Sequence, residues 1–88
     1  MPHKQGSERL PVTAVAEIVA TVLEVHASTG CTVAVGDELV LLESMKMEIP
    51  VLAEVDGIVT EMHVAVGDHV AEGDPIATVG RVIIPEGK

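Results

Sequence analysis

Between residues 10 and 80 the chain has a single Lys or Arg, Lys46, among about a dozen carboxylates. It lies in the run Glu43-Ser44-Met45-Lys46-Met47-Glu48-Ile49, with a methionine on each side. A lysine amine, once deprotonated, is a nucleophile for an activated acyl group, and a solitary one is an unambiguous target for a modifying enzyme. A lysine on a loop is ordinarily only solvated charge. What singles this one out is its surroundings. The other chemistry-bearing residues form no comparable pattern. His3, His26, His63 and His69 lack metal-ligand spacing, so no metal site is expected. The glycines form no phosphate loop, and no Ser or Cys can be matched with a His base, so no catalytic residue is expected either.

The element that must position Lys46 is the join between two copies of one unit. Sliding the sequence by 37 positions lays residues 17–43 over 54–80 without a gap. Glu17 meets Glu54, Val22 meets Val59, Glu24 meets Glu61, His26 meets His63 and Gly30 meets Gly67. Val33-Ala34 meets Val70-Ala71, and Gly36-Asp37 meets Gly73-Asp74. Gly30, Gly36, Gly57, Gly67 and Gly73 are expected to mark turns. Between the turns lie short runs at 14–19, 22–27, 39–44, 47–53, 58–64 and 75–79, with period-two alternation plainest in Ile58–Val64. Such spacing predicts an all-β antiparallel sandwich or barrel with pseudo-two-fold symmetry. His26 and His63 occupy equivalent repeat positions, which favours structural roles.

Two apolar strands run into the join, and no Gly, Asn or Asp stands at its bend. If the bend is a tight hairpin, Met45 and Lys46 take its corner. Two-residue hairpin turns require positive φ, which costs such residues about 1–3 kcal/mol in all. A sequence indifferent to those side chains would place Asn-Gly there. The same 37-residue shift carries Lys46 to Arg9 and to Ile83, so the chain ends are expected together at the opposite pole.

Eighty-eight residues make one domain, expected at 12–82 between tails at 1–11 and 83–88. The chain is 48% apolar yet has no Phe, Tyr or Trp, so Val, Ile, Leu and Ala must fill the core, a composition suited to strands. A formal charge of −9 argues against nucleic acid and against an anionic membrane, and favours a partner with a basic groove. No apolar run is long enough for a transmembrane helix, and the polar start lacks a secretory signal. Cys31, alone, cannot form an internal disulfide and suits a reducing compartment. A cytoplasmic location is therefore expected.

Glu43-Ser44-Met45-Lys46-Met47-Glu48 resembles the Glu-Ala-Met-Lys-Met-Glu signature of biotinyl (biotin carboxyl carrier) domains. Val35-Gly36-Asp37, Asp56-Gly57-Ile58-Val59, Val66-Gly67-Asp68 and Glu72-Gly73-Asp74 match the flanks, so the likeness covers roughly residues 14–80. In length the chain looks like the free-standing biotinylated proteins of actinobacteria. The resemblance implies a barrel-sandwich hybrid, a flattened pair of four-stranded sheets with the biotinyl lysine on an exposed hairpin. It implies that a biotin protein ligase acylates Lys46 from biotinyl-adenylate. It further implies that the biotin shuttles a carboxyl group from a biotin carboxylase to a carboxyltransferase. The enzyme served would be an acyl-CoA or related carboxylase, as in fatty acid biosynthesis, and the carrier itself would catalyse nothing. Ser44 stands for the usual Ala, Ala20 stands where the repeat has Gly57, and no thumb insertion separates the halves.

Met45 and Met47 then become adaptable contacts for the ligase and its partners, with core packing by one of them as the alternative. Glu43, Ser44 and Glu48 join them as candidate recognition residues. A lipoyl carrier would share the fold but usually sets its lysine in Asp-Lys-Ala. An unmodified assembly module, such as a hybrid-motif domain in a transport adaptor, would need no lysine at the corner.

Overall fold

A computed structural model describes residues 10–81, and every described regular element is a strand. They are β1 (Val12–Val15), β2 (Ala20–Val25), β3 (Thr32–Val33), β4 (Glu38–Ser44), β5 (Met47–Leu52), β6 (Gly57–Met62), β7 (His69–Val70) and β8 (Pro75–Arg81). Two four-stranded sheets form, in the orders β1-β8-β6-β3 and β5-β4-β2-β7, with every pairing antiparallel. The 37-residue shift turns one order into the other: β1 onto β5, β2 onto β6, β3 onto β7 and β4 onto β8. The sequence repeat is thus the symmetry of the sandwich.

The symmetry extends to single hydrogen bonds. The Ala16 amide donates to the Asp74 carbonyl and the Ala53 amide to the Asp37 carbonyl, at 2.9 and 2.8 Å. The His26 amide donates to Leu39 and the His63 amide to Ile76, both at 2.9 Å. The register slips at Val22/Glu24 in the β2–β4 ladder and at the equivalent Val59/Glu61 in the β6–β8 ladder. Leu39, Leu42, Ile76, Val22, Val40 and Val59 are the largest fully buried side chains. Leu39 and Ile76 are repeat mates, as are Val22 and Val59, so each half supplies matching parts of one core. With no aromatic ring available, these aliphatic side chains supply most of the burial energy, about 1.5–3 kcal/mol each.

The expected strands at 39–44, 47–53, 58–64 and 75–79 match β4, β5, β6 and β8 closely. The first expected run, 14–19, does not hold. β1 ends at Val15, and Glu17-Ile18-Val19 form a bend whose apolar side chains face solvent, Val19 being 68% exposed. β3 and β7 went unpredicted, since two residues are too few to show a period. Gly30, Gly36, Gly67 and Gly73 do turn the chain, with φ of 91–95°. Gly57 does not. It opens β6, and a Cβ there would overlap the carbonyl oxygen of Gly80 on β8. Its role is close strand approach. Of the tails expected at 1–11 and 83–88, residues 1–9 and 83–88 lie outside the described residues. Val12 pairs with Val79, so the described chain ends do lie side by side.

Candidate functional site

β4 and β5 pair from Glu38 with Leu52 up to Ser44 with Met47, which leaves Met45 and Lys46 alone at the turn. Their φ angles are 51° and 68°, and they are the only non-glycine residues with positive φ among those described. Two successive positive values are the signature of a type I′ turn, whose twist suits a tight hairpin. Neither side chain relieves the left-handed backbone as Gly or Asn would. The conformation is held by the ladder beneath it.

The period of the strand decides what this hairpin shows to solvent. On β4, Val40, Leu42 and Ser44 point inward and Glu43 points outward. Ser44 is 8% exposed, the one buried polar residue described. Expected as a recognition residue, it lies beneath the turn, buried on the inward side of β4. The other expected residues stand clear. Met45 is 90% exposed and Met47 59%, which removes core packing as the account of either. Glu43, Lys46 and Glu48 are exposed too. No carboxylate pairs with Lys46 among the described residues.

One row behind the turn the sheet carries a polar stripe that crosses three strand pairings. Glu48 lies opposite Glu43, Glu43 opposite Thr21 and Thr21 opposite His69. The Thr21 hydroxyl and His69 Nδ1 are 3.1 Å apart. Thr21 and His69 could not be placed beside the hairpin from the sequence, because β7 had no readable pattern.

Three of the four turn glycines are followed by an aspartate that closes the turn. Asp37, Asp68 and Asp74 accept from the amides of Ala34, Ala65 and Ala71 at 2.8–2.9 Å. Cys31 holds the fourth such place, half-buried, with no equivalent acceptor. Asp56 accepts from the Val35 amide at 2.9 Å. Gly-Asp pairs in the sequence were the readable signal for this scaffold.

The described histidines have structural partners. His26 Nε2 lies 2.9 Å from Glu24 and 3.1 Å from Glu38. His63 Nε2 lies 2.9 Å from the Thr78 hydroxyl and 3.9 Å from Glu61. The fold thereby gathers Glu24, His26 and Glu38 with ligand atoms within 4.8 Å, a grouping hidden in the sequence because Glu38 comes from another strand. All three are exposed, and His26 Nε2 lies within hydrogen-bond reach of one oxygen of each carboxylate.

The exposed amine at a rigid, narrow corner has the form needed for covalent attachment of a long acyl group. The lysine already stands in solvent and need not leave the fold to meet a partner, the flanking methionines offer apolar contact, and nothing described blocks approach.

Comparisons with known proteins point the same way. A protein-family model described as "Biotin-requiring enzyme" matches residues 8–79. The biotinylated protein TB7.3 homolog of Mycobacterium leprae is 72% identical over 36 residues, which are 41% of this chain and 51% of that protein. The biotinylated protein TB7.3 of Mycobacterium tuberculosis is 67% identical over the same extent. The aligned segment therefore spans about half the length of these curated relatives. Among solved structures, a single-chain, multi-domain long-chain acyl-CoA carboxylase contains a similar region, with TM-score 0.76 and 31% identity. The match covers 84% of this chain and 7% of that one. The urea carboxylase of Kluyveromyces lactis matches with TM-score 0.75 and 28% identity, over 80% of this chain and 6% of that one. The lipoyl domain of the Azotobacter vinelandii 2-oxoglutarate dehydrogenase complex matches with TM-score 0.63 and 30% identity, over 72% and 80%.

Proposed function

The chain belongs to the family of biotin-requiring enzyme domains, and from that premise we propose that Lys46 bears a covalent biotin and that residues 12–82 act as a carboxyl carrier. The observation that carries this is the corner itself: a lysine with φ of 68°, exposed between two exposed methionines. Attachment forms an amide between Lys46 Nζ and the biotin carboxyl carbon, with AMP leaving from biotinyl-adenylate. Once attached, biotin offers a ureido nitrogen that takes up and gives up a carboxyl group.

The chain's own contribution is position. The β4–β5 ladder holds the attachment point at one end of a rigid sandwich, and the side chain of Lys46 adds reach. A tethered group visits two enzyme sites at high effective concentration, with no catalytic residue needed in the carrier. The partners are a biotin protein ligase, a biotin carboxylase and a carboxyltransferase, met in the cytoplasm. The acceptor we propose is an acyl-CoA, on the likeness to the long-chain acyl-CoA carboxylase. The similar region in a urea carboxylase argues that acceptor choice belongs to the carboxyltransferase and not to this fold.

The lipoyl-domain likeness keeps a second cofactor in view, and mass distinguishes the two. After co-expression with a biotin ligase, the intact chain gains the mass of one biotinyl group, and Lys46→Arg gains nothing. A gain of one lipoyl group with a lipoate ligase, and none with the biotin ligase, overturns the proposal.

A further inference from the structure

We propose that a groove on the pseudo-two-fold axis, between the edge strands β1 and β5, is a docking site for a partner protein's segment in which one apolar side chain is flanked by basic residues. β1 and β5 are the outermost strands of their sheets on this side and are repeat mates. The groove between them holds about 220 Å³. Its walls come in symmetry-related pairs: Ala14 with Val51, Val15 with Leu52, and Glu17 with Glu54. Val15 and Leu52 are 40% and 44% exposed, so apolar surface is open to solvent there. The exposed carboxylates of Glu17 and Glu54 belong to the same lining.

Size and charge select the occupant. The volume falls below the range of about 300–1,000 Å³ usual for small-molecule sites, and suits one inserted side chain. A second copy of the chain is disfavoured, because two such grooves face to face would bring four carboxylates together around the contact. Neither glutamate has a cationic partner among the described residues. The nearest chemical complement is an aliphatic residue with Arg or Lys before and after it.

The placement also suits a carrier. Ile49 and Pro50 line the groove and lie on β5, the strand that leaves the Lys46 turn. At about 3.3 Å per residue, a segment seated against Pro50 to Leu52 lies some 13–20 Å along the strand from the turn. A partner could hold the domain there and leave the hairpin uncovered. Occupancy of the groove does not require modification of Lys46, so the site is testable apart from the cofactor.

The test is a titration of the full ¹⁵N-labelled chain, followed by amide shifts, with the capped peptide Gly-Arg-Leu-Arg-Gly and with Gly-Glu-Leu-Glu-Gly. The basic peptide is expected to move the amides of residues 15–18 and 51–54 and to bind about tenfold more weakly to the Glu17→Gln, Glu54→Gln variant. Added salt should weaken binding to the unaltered chain, and Lys46→Arg should leave it unchanged. Equal response to the acidic peptide, shifts centred elsewhere, no shifts up to about 10 mM peptide, or indifference to the double substitution would each overturn the proposal. Shifts at these amides that grow with protein concentration alone would overturn it in favour of a second copy.

Discussion

Glu43 and Glu48 face each other directly across the β4–β5 hairpin, one pair behind the turn that bears Lys46. Like charges in this relation destabilise a hairpin by roughly 0.2–1 kcal/mol. Their presence beside the only Lys or Arg between residues 10 and 80 is explained if the glutamate pair serves recognition of the hairpin. Replacing either with Gln should raise the thermal midpoint slightly while slowing biotin transfer by the ligase, most clearly at low salt. Thermal melts and initial rates on the same variants check this. A faster or unchanged ligase rate would assign the pair to solvated strand-edge charge.

The turn should be suboptimal for stability. Replacing Met45-Lys46 with Asn-Gly removes two left-handed residues that disfavour that conformation. The double variant is expected to gain about 1–2 kcal/mol in denaturant unfolding and to lose all labelling. The same gain without the loss of labelling would place the modified amine elsewhere.

Much of this architecture was readable before the structure, and for a physical reason. Gly-Asp pairs close turns by their own local hydrogen bonds, as Asp37 and Asp74 do, so the repeat they mark survives as a pattern in one dimension. The Lys46 corner was legible for the same reason, since hairpin geometry depends on two residues and their flanks. What was not legible depends on tertiary partners. Ile18 and Val19 look like strand residues, yet the edge strand ends before them. Gly57 looks like a turn glycine, and only the approach of Gly80 reveals its purpose. Ser44 sits in an exposed motif, but the inward parity it shares with Leu42 buries it.

Gly57→Ala therefore tests a contact the sequence hid. The added methyl would meet the Gly80 backbone, which cannot rotate away as a side chain would. A loss of about 2 kcal/mol or more is expected from this overpacking. Its repeat mate already carries a methyl as Ala20, and the β2–β4 ladder begins one residue later, at Thr21. Ala20→Gly should cost less than Gly57→Ala. Urea unfolding of both variants compares the two halves directly.

Asp56 and Val19 are repeat mates with different consequences. Asp56 accepts from the Val35 amide, whereas Val19 leaves its side chain 68% exposed beside a bend of the same shape. The residue equivalent to Val35 is Glu72. Val19→Asp should thus create an acceptor for the Glu72 amide and remove an exposed apolar group. Asp56→Ala should cost about 1 kcal/mol by leaving the Val35 amide to solvent. Val19→Asp should return about 0.5–1 kcal/mol at low charge density, less in dilute buffer, because Glu17 and Glu72 raise the local negative field. Moderate salt should restore the full gain. A destabilised Val19→Asp at high salt would show that the symmetry of the backbone does not extend to this hydrogen bond.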